Sequence, residues 1–400
     1  MNVQKVERTK PSMEATHIDA PEAPADFTLL GGPLYQLGRR LGLVRGGTNT
    51  VLLGVTIGVG LWVIVLMLAF IEGVASQIFT LRLIAGHTRL LVVIPVFFIC
   101  ESWVSPRMTA FVRTIAQSGI VPPSALHALD AEVARISRWK DAWLPEAACL
   151  LAAAVLAVTG SSLQQLGDSG IYDPKRTNLD AFVYFEIGLT VFRFLLFRWV
   201  WKLALWGWFL WRVSRLDLHL LPGHPDSDGG LGSLEGIHER FTPLVAAISV
   251  LECSAMAEAI STGKFAITNA YPWLALVMLL EATLFLGPLL VFTDKLWAGR
   301  TKGMGAYGNL AARYVSEFEA KWTSGRSPEG EQLLGTSDLQ SFADLANTIS
   351  IVRGMRWVTI GPRLLSLMGM AAVVPFLPLV LFKYPLPELA RKLLQHVIGL

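Results

Sequence analysis

The sequence predicts an all-α protein, a polytopic bundle of about seven transmembrane helices, from three observations. The chain of 400 residues is 53% hydrophobic and only 16% charged, with a mean hydropathy of +0.49, whereas soluble domains average about 25% charged residues. Its apolar residues gather in runs of about 20, the length at which a helix crosses a bilayer core. Lysine and arginine also alternate in density between the segments that connect these runs.

The apolar runs define the predicted spans. They lie at 51–71, 89–105, 142–160, 180–202, 241–261, 272–294 and 358–382. The first run carries no charge, and the sixth is interrupted only by Glu281. The second and fifth runs are short or carry acidic residues, so the fifth is open to a re-entrant interpretation. Pro375 and Pro378 predict a bend in the last span.

Basic residues set the predicted orientation. They number 22 in one alternating set of connecting segments and 8 in the other. The richer set comprises 1–50, 105–141, 212–240 and 295–357. Because cytoplasmic loops are enriched in lysine and arginine, this asymmetry predicts a cytoplasmic N-terminus.

Outside the transmembrane region of 51–294 and the last span, three segments are distinguished. Residues 1–50 form a disordered or cytoplasmic N-terminal segment, in which the first 27 residues lack an apolar core. Residues 295–357 are predicted to be a cytoplasmic helical segment. Residues 383–400 are predicted to be an interfacial C-terminal helix.

Ionisable residues within the predicted spans are the candidate functional residues. A charge at membrane depth costs between about 2.5 and 17 kcal/mol, so it needs a partner or a path for water. Arg193, Glu252 and Glu281 approach the midplane when depth is counted at about 1.5 Å per residue. Glu186 shares a helical face with Arg193, and Glu258 lies nearer the outer side. Two interpretations stay open: ion pairs that fix helix register, or a hydrated path for ions, protons or an acidic substrate.

Two further features mark the end of the fourth predicted span. Arg198 and Lys202 are expected to snorkel towards the cytoplasmic headgroups. Five tryptophans follow closely and predict an interfacial belt. They are Trp199, Trp201, Trp206, Trp208 and Trp211.

The cytoplasmic loop after that span carries His224, Asp226 and Asp228 among prolines and glycines. These residues could bind a cation, but the D-x-D-G spacing lacks the other ligands of a calcium loop. Aspartates in such loops also accept hydrogen bonds from the backbone amides that follow them. A rigid turn is therefore favoured over a metal site.

The loop sequence HPDSDGGLGSL, placed after a Trp-rich span, resembles a segment of bacterial inner-membrane proteins of unassigned function. The later stretch SDLQSFADLANTISIVRGMRWVTIGPR, leading into a Pro-broken last span, resembles the same proteins. This resemblance covers residues 180–400. It implies an inner-membrane location in a bacterium and carries no activity with it.

Several classes of function are disfavoured. The net charge of +3 is too small to indicate nucleic-acid binding. The sequence has no P-loop, and none of the seven histidines falls within a predicted span, which argues against ATPase, haem and diiron chemistry. The three cysteines all lie in apolar runs. We therefore expect no metal and no cofactor.

The leading functional hypothesis is a channel or transporter that passes a small ion or solute through a polar centre between spans. Arg193 would attract an anion, and the glutamates would pair with it or carry protons. One alternative is a non-transporting sensor, effector or assembly component that binds a partner through its cytoplasmic loops. Another is an enzyme acting on a lipid-linked substrate through His224, Asp226 and Asp228. The expected partners are the lipid bilayer, further copies of the chain and a cytoplasmic protein.

Overall fold

The computed structural model describes residues 27–166, 183–266, 269–323 and 337–382, and their regular structure is helical. The α-helices, in chain order, are α1 Pro33–Arg40, α2 Val51–Ile71, α3 Ala75–Ile78, α4 Ile84–His87, α5 Ile94–Gln117, α6 Pro123–Asp141, α7 Trp143–Leu166, α8 Leu189–Ser214, α9 Ser233–Glu239, α10 Thr242–Ser261, α11 Ala270–Leu286, α12 Thr293–Phe318, α13 Ser337–Gly354 and α14 Pro362–Val373. Segments of π-helix adjoin them at Thr88–Val93, Val183–Gly188 and Glu319–Thr323. Segments of 3₁₀-helix adjoin them at Leu81–Leu83, Gly287–Phe292 and Val374–Phe382.

Five helical stretches among the described residues are long and apolar enough to cross a membrane. They are Val51–Ile71, Ile84–Gln117, Ser233–Ser261, Ala270–Thr323 and Pro362–Phe382. A sixth crossing results if α6 and the first part of α7, which meet at a bend of 44°, count as one span. The prediction of an all-α protein with membrane-spanning helices is confirmed in this coarser form. Its count of seven is not confirmed.

Helix α8 is not in that set, although it overlaps the predicted span at 180–202. It carries Arg193, Arg198 and Lys202, which lower its mean hydropathy. Helices α5, α6 and α7 and the segment Gly287–Phe292 all pack against α8. Because neighbouring helices surround it, α8 can satisfy its charges with protein partners rather than with lipid or water.

The tryptophans of α8 do not form a single interfacial belt as predicted. Trp199 and Trp206 are buried in the main core, whereas Trp208 and Trp211 are exposed. Positions seven apart share a helical face, so Trp199 and Trp206 lie on the inner face, and Trp201 and Trp208 lie on another. The helical period therefore separates a sequence cluster into a core pair and a surface set.

The N-terminal segment, predicted over 1–50 to be disordered or cytoplasmic, is packed against the bundle in the part that the structure describes, from residue 27 onward. Phe27, Leu29 and Leu30 are buried, and the Phe27 ring stacks on Phe209 at a centroid distance of 4.3 Å. Helix α1 follows at once, with Pro33 at its start, where a missing backbone N–H costs nothing. The N-terminal segment thus belongs to the bundle from residue 27 onward. Residues 1–26 lie outside the described residues, as does the predicted interfacial helix at 383–400.

The helical run Ala270–Thr323 is 54 residues long. At about 1.5 Å per residue it measures about 80 Å, far more than a bilayer core of about 30 Å. Its C-terminal half, α12, carries the charged residues and pairs with α13 as a helical hairpin. Tyr314 and Phe318 of α12 both pack against Phe342 of α13. This hairpin accounts for most of the segment 295–357, which the sequence predicts to be helical and cytoplasmic.

Candidate functional site

The candidate functional site is a cavity of about 530 Å³ among the helices of the bundle. Residues of Thr88–Val93, α5, α7, α8 and α10 line it. Most of its wall is apolar, and four charged residues also line it: Arg89, Arg193, Glu252 and Glu258. Three of the five residues that the sequence singled out for a polar centre therefore lie around one cavity.

Helical spacing explains why these charges share a cavity with apolar side chains. On α8, Leu189, Phe192, Arg193 and Leu196 line the cavity, at the i, i+3, i+4 and i+7 positions of one face. On α10 the same spacing holds for Ile248, Leu251, Glu252 and Ala255. Each charge thus replaces one residue of an otherwise apolar face.

Arg193 has no carboxylate within ion-pair distance among the described residues. The charges that act on its guanidinium are those of Arg89 and of Glu186, which lies in the π-helical segment Val183–Gly188. Arg89 repels it and Glu186 attracts it. Arg193 therefore lines the cavity under the opposing influence of one arginine and one glutamate.

The two cavity glutamates differ in their partners. The backbone of Ala85 and the charge of Arg89 both stabilise the carboxylate of Glu258. Glu252 accepts a long hydrogen bond of 3.5 Å from the indole Nε1 of Trp273. The cavity thus has an anchored carboxylate at Glu258 and a loosely held one at Glu252.

Glu281 does not line this cavity. It is buried on α11, where Ser249 Oγ donates a hydrogen bond of 3.1 Å to its Oε1. Arg193 and Glu252 therefore share the cavity, whereas Glu281 lies outside it, close enough to Glu252 for the two charges to interact. Depth along the helix predicts the level of each charge but not which face of α11 meets α10.

A second set of charges is fully buried and was not assembled from the sequence. Arg198 donates from Nε to Glu146 at 2.8 Å and from Nη1 to Glu101 at 2.6 Å. Lys202 also donates to Glu101. Two acids and two bases make this cluster electrically balanced. The expectation that Arg198 and Lys202 snorkel to headgroups is wrong, because both side chains are buried against these glutamates.

This buried cluster fastens the N-terminal segment to the bundle. Arg198 Nη2 donates to the carbonyl oxygen of Gly31 at 3.3 Å, and the backbone amide of Leu34 donates to Glu146 at 2.9 Å. The amide of Gly32 donates to Asp141 at 3.3 Å. Gly32 has φ +89°, a conformation that favours glycine. The cluster therefore has a structural role that joins α5, α7 and α8 to the entry of α1.

In the loop after α8, Asp226 organises the backbone. Its carboxylate accepts hydrogen bonds from the amides of Asp228, Gly230 and Gly232 at 2.9, 3.1 and 2.8 Å. Burial raises the pKa of Asp226, but these three amides outweigh it and hold the pKa below its ordinary value. His224 Nδ1 lies 2.8 Å from the same carboxylate. These contacts are those of a rigid turn.

Asp228 joins this loop to the segment that precedes α14. Its buried carboxylate pairs with Arg356, which also donates to Glu235 at 2.7 Å. The amide of Arg356 donates to the carbonyl oxygen of Ser227 at 2.7 Å. Burial raises the pKa of Asp228 to about 6, although Arg356 opposes the shift. The two stretches that carry the resemblance to bacterial membrane proteins thus contact one another.

No group of three or more His, Cys, Asp or Glu side chains is arranged to hold a metal ion in the part of the chain that the structure describes. The carboxylates of the loop are occupied by backbone amides and by Arg356, and those of the buried cluster are occupied by Arg198 and Lys202. The cavity, by contrast, is lined by Arg193 and Glu252, neither of which has an ion-pair partner among the described residues.

Comparison with known proteins found no matching family model, no matching curated protein and no matching solved structure. The resemblance to bacterial inner-membrane proteins therefore stays a prediction from the sequence.

Proposed function

We propose that this chain is a membrane channel or transporter that passes a small ion or solute through the cavity lined by Arg193 and Glu252. The observation that carries the proposal is an arginine without a carboxylate partner among the described residues, facing a cavity of about 530 Å³. A guanidinium inside a bundle of apolar helices is costly unless water or a ligand solvates it. A hydrated cavity supplies that solvation.

The charges of the cavity favour an anion as the species that enters first. Arg89 and Arg193 act on one another as like charges, so an anion between them would relieve their repulsion. Ligand pockets of about 300–1,000 Å³ accommodate small organic molecules, so the cavity is large enough for a small organic anion as well as for a halide. Glu252 is the carboxylate best placed to exchange a proton, because a single long hydrogen bond holds it.

The topology that accompanies this proposal has seven crossings and a cytoplasmic N-terminus in a bacterial inner membrane. It requires α8 to cross the bilayer within a ring of neighbouring helices, and the contacts of α8 with α5, α6 and α7 support that arrangement. The excess of basic residues in alternate connecting segments supports the orientation. The hairpin of α12 and α13 would then lie in the cytoplasm.

The test is flux through proteoliposomes that contain the purified full chain. Chloride, potassium, protons and benzoate are measured separately for the native chain and for Arg193→Gln. The matched control is Arg363→Gln, because Arg363 is an exposed residue on α14 that pairs with Glu239 at 3.1 Å, away from the cavity. Melting curves of all three proteins show that each is folded.

We expect the native chain and Arg363→Gln to pass an anion, and Arg193→Gln to pass it more slowly or with less preference over cations. The proposal fails if the native chain passes none of the four species. It also fails if Arg193→Gln, while folded, matches the native chain in both rate and selectivity.

A non-transporting role is the second candidate, and the surface of the α12–α13 hairpin favours it. Leu310 on α12 and Leu339 on α13 are exposed hydrophobic residues of this hairpin, and exposed apolar surface is a feature of partner-binding sites. A cysteine at Leu310 carrying a photo-crosslinker, introduced in intact cells, should then yield one defined adduct. This role predicts that adduct together with no flux in proteoliposomes.

A further inference from the structure

A second cavity, of about 310 Å³, lies in a groove between α6 and α8. Its walls are mostly apolar and include three tryptophans, which are Trp139, Trp201 and Trp208. The rings of Trp139 and Trp201 have centroids 6.0 Å apart. Ala204, an exposed small residue between Trp201 and Trp208, leaves the space that the cavity occupies.

The groove lies next to the point where the chain turns into an apolar helix. Trp139 precedes the bend of 44° between α6 and α7, and α7 begins at Trp143, which is also exposed. Tryptophan is enriched where a membrane helix meets water. The groove therefore lies at the level of the lipid headgroups and the first part of the acyl chains.

One charged residue, Arg135, lines the groove. It lies 3.2 Å from Glu132, but Arg212 also binds Glu132, with distances of 2.7 and 3.0 Å. Because Arg212 already holds that carboxylate, the five N–H donors of Arg135 are not all engaged by it. The side chain of Arg135 is 43% exposed, so these donors are accessible at the mouth of the groove.

An apolar groove at headgroup level with an arginine at its edge matches the chemistry of a phospholipid. Apolar tryptophan faces accept an acyl chain, and an arginine fork binds a phosphate through charge-assisted hydrogen bonds. Arg138 and Lys140, in the last turn of α6, add positive charge near that edge. A phospholipid with a net negative charge is therefore favoured over a zwitterionic one.

We propose that the groove between α6 and α8 binds one anionic phospholipid of the bilayer, with an acyl chain against Trp139, Trp201 and Trp208. The phosphate accepts hydrogen bonds from Arg135. This site is separate from the cavity that holds Arg193, and it binds its lipid whether or not the chain transports a solute.

The test is native mass spectrometry of the purified full chain in detergent, titrated with phosphatidylglycerol or with phosphatidylcholine. Ala204→Trp fills the groove, and its matched control is Val200→Trp, which adds the same side chain to an exposed position of α8 outside the groove. Arg135→Gln removes the charge of the groove. Its matched control is Arg363→Gln, which removes the charge of an exposed arginine on α14, outside the groove.

We expect one phosphatidylglycerol to bind to the native chain in preference to phosphatidylcholine. Arg135→Gln should weaken phosphatidylglycerol binding about tenfold, the effect of losing one hydrogen bond to a charged group. Ala204→Trp should abolish binding of both lipids, and both control variants should match the native chain. Equal binding of the two lipids by the native chain, or unchanged binding by Ala204→Trp, would overturn the proposal.

A second measurement covers the case in which Ala204→Trp does not fold. Phosphatidylglycerol with brominated acyl chains quenches tryptophans that it contacts, so it should quench the native chain more than Trp208→Phe, which lacks one wall of the groove. The matched control is Trp297→Phe on α12, where an exposed tryptophan lies outside the groove. An equal loss of quenching in the two variants contradicts a lipid seated between α6 and α8.

Discussion

Replacing Arg198 by methionine is expected to destabilise the fold by about 3 to 5 kcal/mol, the usual cost of removing one partner from a buried ion pair. The native side chain makes hydrogen bonds of 2.8 Å to Glu146, 2.6 Å to Glu101 and 3.3 Å to the carbonyl oxygen of Gly31. Methionine fills a similar volume and makes none of them. The cluster then holds two buried carboxylates and a single ammonium group, on Lys202.

A second substitution separates lost contacts from uncompensated charge. Glu146→Gln removes the excess negative charge that Arg198→Met leaves, while the glutamine can still accept the hydrogen bond from the amide of Leu34. The double variant should therefore be more stable than the sum of the two single effects predicts. We expect a coupling free energy of about 1 to 3 kcal/mol, as for residues in one network.

The measurement is equilibrium unfolding of the purified protein in mixed micelles, followed by tryptophan fluorescence. Arg363→Met is the control, because its ion pair with Glu239 is largely exposed and such pairs contribute at most about 1 kcal/mol. If Arg198→Met and Arg363→Met unfold at the same point, or if the double variant is simply additive, the buried cluster does not stabilise the bundle as described.

Two further predictions concern close packing and pH. A Cβ on Gly58 of α2 would lie 2.3 Å from the carbonyl oxygen of Leu90, whereas one on Gly60 meets nothing within 4 Å. Thermal unfolding should therefore show that Gly58→Ala destabilises the protein, and that Gly60→Ala is neutral or stabilises it by up to about 1 kcal/mol through helix propensity; equal effects would refute this packing. Because the pKa of Asp228 is raised to about 6, its contribution to stability is fully present below its unfolded pKa near 4 and is lost as the pH rises through 6. The difference in unfolding free energy between the native chain and Asp228→Asn should therefore change between pH 4 and 7, by at most about 1.4 kcal/mol per pH unit. A difference that stays constant over this range would contradict the burial of this carboxyl.

The elements that follow from local sequence were predictable. Helix α2 occupies Val51–Ile71, the limits of an apolar run without charges. Pro375 and Pro378 lie in the 3₁₀ segment Val374–Phe382, which follows α14, so the helix changes type at the prolines, and the predicted bend stays a prediction. Both features depend on residues that are adjacent in the chain, where hydropathy and the missing proline N–H act directly.

The contacts between distant residues were not predictable in the same way. Arg198 pairs with Glu101 and Glu146, which lie 97 and 52 residues away. Depth counted along each helix predicts a level for such charges but no rotation about the helix axis. The rotation of each helix about its axis determines which side chains meet. It places Glu252 at the cavity and Glu281 against Ser249. A single sequence contains no signal for it.

Arg89 was also missed as a member of the polar cavity, for a different reason. It lies at the boundary of a predicted span, where a basic residue is expected to contact headgroups. In the structure it lies in the π-helical segment Thr88–Val93, close enough to α8 and α10 to act on Arg193 and Glu258. A local change of helix type at a functional position leaves little trace in hydropathy.

The most direct experiment asks whether the cavity lined by Arg193 and Glu252 is a hydrated path for the transported species. Ala255 lines the cavity, whereas Ala257 on the same helix is buried elsewhere. Each is replaced by cysteine in a Cys149→Ser background, because Cys149 is partly exposed and Cys100 and Cys253 are buried. A membrane-impermeant thiol reagent is then added to proteoliposomes during anion flux. The account predicts that the reagent labels Ala255→Cys and stops its flux while leaving Ala257→Cys unlabelled and active. Flux that continues through fully labelled Ala255→Cys, or a cysteine there that the reagent never reaches, would contradict it.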